Sequence, residues 1–153
     1  MRAMAMLMLL ALAAASDANA QGAKELVGTW RLVDINSGTD PNRGARPIGL
    51  IYYDAHGNMA AQIMPDRSRP KYAGAQPTPD EAKAAVTGYT AYFGTYTVDE
   101  KARTVTHHRK ANLNPGGIDT VVRRYEFVTP DRIILRPLEN QNHLTWERVK
   151  APL

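Results

Sequence analysis

Cysteine is absent from all 153 residues. Its absence excludes disulfides, thiolate metal ligands and a lipid-attachment cysteine, so an oxidising compartment is permitted but unused and the core alone must hold the fold. Serine is almost missing too, with Ser16, Ser37 and Ser68 the only three and no Gly-x-Ser-x-Gly elbow, which leaves a Ser-His-Asp site with little support. No glycine-rich phosphate loop is present, because Gly116-Gly117 opens no helix. There is no Lys/Arg-rich tract and no nucleic-acid-binding motif. The net charge of +4 therefore reads as a solvated surface and gives no sign of a nucleic-acid partner.

Long apolar runs are missing except for one. Met1-Arg2 gives a positive start, Ala3 to Ala15 is unbroken Ala, Met and Leu, and Ala18-Asn19-Ala20 has the small-x-small pattern of a cleavage site. The run falls short of the roughly 20 apolar residues that span a bilayer, so residues 1–20 read as a cleaved signal peptide and not as a membrane span. The mature chain is then expected to start at Gln21, to occupy the periplasm or the medium, and to form one domain over residues 21–153. Removing Arg2 and Asp17 leaves 18 basic against 14 acidic residues, so the sign of the charge does not change.

What the mature chain does have is a rhythm of β-rich runs separated by turn residues. The runs are Leu26 to Ile35, Pro47 to Tyr53, Asn58 to Met64, Thr90 to Val98, Arg103 to Ala111, Thr120 to Val128, Arg132 to Leu138 and His143 to Val149. Asp54-Ala55-His56-Gly57 reads as a hairpin turn. One helix interrupts the series. Thr78 offers an N-cap hydroxyl, Pro79 suits the first helical position, Glu81 completes a capping box, and the helix should end near Gly88. The pattern predicts an all-β antiparallel barrel of about eight strands with one short helix between strands three and four.

Alternation along the strands assigns faces. Tyr92, Gly94, Tyr96 and Val98 share the expected interior of strand four. Val105, His107, Arg109 and Ala111 share that of strand five, and Val121, Arg123, Tyr125 and Phe127 that of strand six. Leu144 and Trp146 share a face of strand eight. This interior carries phenols, a histidine and at least one arginine. A buried arginine needs an acid, water or a ligand, since an uncompensated charge costs on the order of several kcal/mol. The candidate ligand-binding residues are accordingly His107, Arg123, Tyr92, Tyr96 and Tyr125. A ligand tail would lie among Val105, Phe127, Leu135 and Leu144. A metal site is not expected: His107 and His108 are adjacent and face opposite ways, and His56 and His143 lie in or near turns. No other cofactor is implied.

Leu26-Val27-Gly28-Thr29-Trp30-Arg31-Leu32 resembles the first-strand Gly-x-Trp motif of lipocalins. The chain as a whole is similar to the bacterial and fungal lipocalin-like domain family. The resemblance is carried by the ordered stretches Gly49–Tyr53, Met59–Met64, Gly88–Tyr96, Thr104–His108, Asn112–Pro115, Arg123–Glu126 and Leu144–Arg148. It implies that Trp30 closes the narrow end of the barrel with Arg148 laid over its ring, a structural plug stabilised by a cation–π contact. The helix between strands three and four and the missing disulfides depart from lipocalins proper, so their transport functions are not implied. Three readings of function remain. The first is binding of a small apolar or amphipathic molecule in the barrel. The second is an enzyme (a cyclase, isomerase or dehydratase) acting on such a molecule. The third is a filled barrel whose surface contacts another protein.

Overall fold

The computed structural model describes residues 24–36, 41–117 and 120–152. The apolar leader and its cleavage motif lie outside them, as does most of the turn after the first strand. Among the described residues eight strands run in chain order: β1 (Gly28–Asn36), β2 (Ile48–Tyr53), β3 (Asn58–Met64), β4 (Thr90–Asp99), β5 (Thr104–Asn112), β6 (Thr120–Thr129), β7 (Arg132–Arg136) and β8 (His143–Arg148). Each pairs antiparallel with the next, and β8 returns to β1, so the barrel is closed and up-and-down. Closure removes the free sheet edges that invite aggregation.

The sequence expectation of an all-β barrel with one helix between the third and fourth strands holds. The helix, α1 (Pro79–Val86), carries the expected capping box: the Glu81 amide donates to Thr78 Oγ1 and the Thr78 amide to the Glu81 carboxylate. Strand one is shorter at its start than expected. Residues 24–26 form a helical turn, and the Leu26 carbonyl at its end accepts from Trp30 Nε1 at 2.9 Å.

The two ends of the barrel differ. At one end the strands are joined by tight turns, at 54–57, 100–103 and 130–131, and the side chains pack solidly. Trp30 is fully buried there, with the Arg148 guanidinium 4.1 Å from its ring centroid and Phe127 edge-on at 6.2 Å. Arg148 also donates to the carbonyls of Val27 and Glu25 and pairs with Asp131 at 3.3 Å, which ties the helical turn to the last strand. Gly28 makes that approach possible. Its φ is +140°, and a Cβ there would stand 2.7 Å from Arg148 Nη1.

At the other end the connections are long. They include 41–47 after the first strand, the 65–89 segment that carries α1, and 137–142 between the last two strands. Gly88, with φ +76°, ends the turn after α1 and lies against the Asn42 carbonyl, where a Cβ would come within 1.9 Å. The Asp66 amide donates to the Arg43 carbonyl at 2.8 Å. These contacts fix the 41–47 segment over the open end and bring Arg43 to its mouth.

Alternation predicts the inward faces well, with one correction. β4 and β5 shift register between Phe93 and Gly94, so Gly94 pairs with Arg109 while Tyr92 pairs with Asn112. The bulge inverts the phase of β5 beyond Arg109. Ala111, expected inside, is exposed, and Asn112 takes the position beside Tyr92.

Candidate functional site

The open half of the barrel encloses a cavity of about 180 Å³. Its apolar wall comes from β2, β3, β6, β7 and β8, as Ile51, Ala61, Ile63, Val121, Leu135 and Leu144. Its polar wall comes from β4, β5 and β6 and from the 41–47 segment, as Thr90, Tyr92, His107, Arg109, Arg123 and Arg43. The indole of Trp146 completes the lining.

His107 is the one buried polar residue of the described core, 1 % exposed. Its Nε2 meets the Tyr53 hydroxyl at 2.7 Å and its Nδ1 meets the Tyr92 hydroxyl at 3.0 Å. Burial holds its pKa down to about 3, and the nearby Arg123 and Arg109 guanidiniums and His108 push the same way. The ring is therefore neutral at physiological pH, with one N–H and one lone pair. Burial also raises the phenols of Tyr53 and Tyr92, so both are protonated.

Hydrogen-bond satisfaction fixes the direction of this relay. Tyr53 is fully buried and His107 is its one hydrogen-bond partner among the described residues, so its hydroxyl donates to Nε2. The imidazole proton then sits on Nδ1 and is donated to the Tyr92 oxygen. The Tyr92 hydroxyl hydrogen is thereby released toward the cavity that Tyr92 lines.

The three arginines have few protein partners. Arg43 donates from Nη2 to Thr90 Oγ1 at 3.0 Å, Arg109 lies over the Tyr92 ring at 5.5 Å, and Arg123 donates to the Val122 carbonyl at 3.1 Å. Among the described residues no carboxylate pairs with any of them. The Nε of Arg43, the Nε of Arg109 and the Nε1 of Trp146 are buried without a hydrogen-bond acceptor among those residues.

Of the five ligand-binding candidates from sequence, Tyr92, His107 and Arg123 come together at this cavity. Tyr96 and Tyr125 do not line it. Both face inward but sit lower in the barrel. The Tyr96 hydroxyl donates to the Asp54 carbonyl at the hairpin turn, and the Tyr125 ring packs edge-on against Phe127 near the plug. The expected tail region divides in the same way: Leu135 and Leu144 line the cavity, whereas Val105 and Phe127 belong to the closed end. Sequence reasoning missed Arg43, Tyr53 and Trp146 as site residues, and it placed Arg109 inside without assigning it a role. Among the described residues no group of three His, Cys, Asp or Glu side chains is placed to hold a metal ion. No helix among them is long and apolar enough to cross a membrane, which says nothing of spanning by strands.

A closed eight-stranded up-and-down barrel, plugged at one end by a Gly-x-Trp tryptophan and an arginine and hollow at the other, defines the lipocalin-like class. The sequence places the chain accordingly: the family model described as a lipocalin-like domain matches residues 27–151, and the chain belongs to that family. No curated protein and no solved structure matches it.

Proposed function

We propose that this is an exported binding protein that holds one small apolar or amphipathic molecule in the open half of its barrel. The observation that carries the reading is the cavity itself, with an apolar wall on one side and convergent polar side chains on the other. A barrel packed solid, acting only through its outer surface, would have no use for polar groups converging on an interior space. Native mass spectrometry of protein purified from the producing cell's envelope tests the idea. The expected spectrum shows a small-molecule adduct that dissociates on denaturation and is lost in Leu135→Trp, whose side chain would fill the cavity. A bare polypeptide mass from the wild type would overturn it.

Export rests on the apolar run and the Ala18-Asn19-Ala20 motif. N-terminal sequencing of the protein from its own cell should begin at or near Gln21. Soluble protein that still carries Met1 would count against it.

One observation favours a second reading, an enzyme of the cyclase, isomerase or dehydratase kind. The Tyr92 hydroxyl is backed by neutral His107 and stands beside guanidiniums, an arrangement able to donate a proton or stabilise an oxyanion. If a molecule identified in the adduct is converted by the protein, His107→Gln should lower turnover far more than binding. Equal losses in both would return His107 to a structural role.

A further inference from the structure

We infer that the cavity selects an anionic head group that only accepts hydrogen bonds, a carboxylate or a deprotonated enol, carried on a compact body the size of a single ring. The inference rests on the small-molecule-binding reading and narrows it to a ligand class.

Arg43 Nε, Arg109 Nε and Trp146 Nε1 are buried donors without an acceptor among the described residues. The Tyr92 hydroxyl joins them, because Tyr53 has already set the direction of the relay through His107. Arg123 faces the same space, near enough that its charge acts on Tyr53, Tyr92 and His107. Among the described residues no carboxylate lines the cavity. A neutral apolar ligand would leave the buried Nε donors of Arg43 and Arg109 and the indole N–H of Trp146 without an acceptor, at a cost of about 1–3 kcal/mol for each neutral donor and more for a charged one. A cationic ligand would be repelled. An anion with two oxygens satisfies several of these donors at once through charge-assisted hydrogen bonds.

Size narrows the class further. An engineered protein cavity of roughly 150 Å³ holds benzene, whereas drug-sized ligands occupy about 300–1,000 Å³. A cavity of about 180 Å³ therefore suits a monocyclic or short branched body and is too small for a long acyl chain. That body would contact Ile63, Val121, Leu135 and Leu144.

Isothermal titration with matched probes tests the inference on the wild-type protein. The probes are benzoate and phenylacetate against benzamide and benzyl alcohol, which have similar shapes without the charge. Carboxylates should bind about tenfold or more tighter than their neutral counterparts. Arg109→Met and Arg123→Met should weaken the carboxylates far more than the neutral probes and so abolish that preference, and Arg123→Lys should keep part of it. The isostere comparison needs no variant, so a variant that fails to fold leaves the test intact. Neutral probes that bind as well as carboxylates, or carboxylate affinity that survives both arginine substitutions, would overturn the anionic head group and leave the binding reading standing. Folded wild-type protein that binds none of the probes would also overturn it, and the envelope adduct then decides the broader reading independently.

Discussion

Trp30→Ala is expected to lower the free energy of unfolding by about 3–5 kcal/mol, the range for removing a large buried aromatic. The indole is fully buried and is held from three sides. Its N–H donates to the Leu26 carbonyl, Phe127 meets it edge-on, and Arg148 covers its ring at 4.1 Å. Truncation opens a void at the closed end, orphans the Leu26 carbonyl and deprives Arg148 of the surface it stacks on. The loss would consume a large share of the 5–15 kcal/mol that domains of this size possess, and Tm should fall by more than about 10 °C. Trp30→Phe should cost less, since it keeps a ring beneath Arg148 and forfeits mainly the hydrogen bond and part of the volume. Urea unfolding of the three proteins measures this ranking. A loss under about 1 kcal/mol for the alanine variant would show that the closed end contributes little, whatever its packing density.

The plug was legible because a motif carries it. Trp30 follows the Gly-x-Trp spacing, and antiparallel closure of an eight-stranded barrel brings the end of the last strand beside the start of the first, which pairs Trp30 with Arg148. Strand positions were legible because turn residues and period-two alternation set them locally. The site was legible only in part, because alternation gives a face and not a height. Tyr92, Tyr96 and Tyr125 all point inward, yet only Tyr92 lies at the level of the cavity, which depends on register across several strands. Counting residues from the turns carries that signal, since Tyr96 is three residues from the end of β4 at Asp99 and Tyr92 is seven. Arg43 was not legible: it sits on a connection without periodicity and reaches the mouth through contacts with Asp66, Gly88 and Thr90, all distant in sequence. Tyr53 was obscured by its neighbour, because Tyr52-Tyr53 at the end of β2 offers a phenol to each face. The exposure of Ala111 was hidden as well, since it follows from a bulge that no local residue pattern announces.

His107 should make the barrel lose stability as the pH falls below about 6.5. Its pKa in the fold is about 3, against about 6.5 in an unfolded chain. Between those values the unfolded state binds a proton that the folded state refuses. The slope of stability against pH is therefore positive, up to about 1.4 kcal/mol per pH unit for this one group. Its contribution is present above pH 6.5 and is withdrawn as the pH falls toward 3. From pH 6.5 to 4.5 the loss should be about 2 kcal/mol, and over the whole interval on the order of 4 kcal/mol. Carboxylates complicate only the acid end. Glu147, lowered by hydrogen bonds from Arg31 and Arg132, and Asp54, lowered by those from Asn58, surrender stability as the pH falls below the ordinary carboxylate range. The upper window thus isolates His107 when wild type is compared with His107→Gln, whose amide can still bond to a tyrosine but takes no proton. Unfolding free energies measured at half-unit steps from pH 7 to 4.5 should diverge steadily, with the wild type losing about 2 kcal/mol more than the variant. An anion bound beside Arg123 and Tyr92 would lessen the fall, because its charge favours the imidazolium, so the wild-type slope should be shallower with saturating benzoate than without it. Parallel pH profiles for the two proteins would mean that the fold does not lower the pKa of His107 and that its burial is not the source of the acid-side loss.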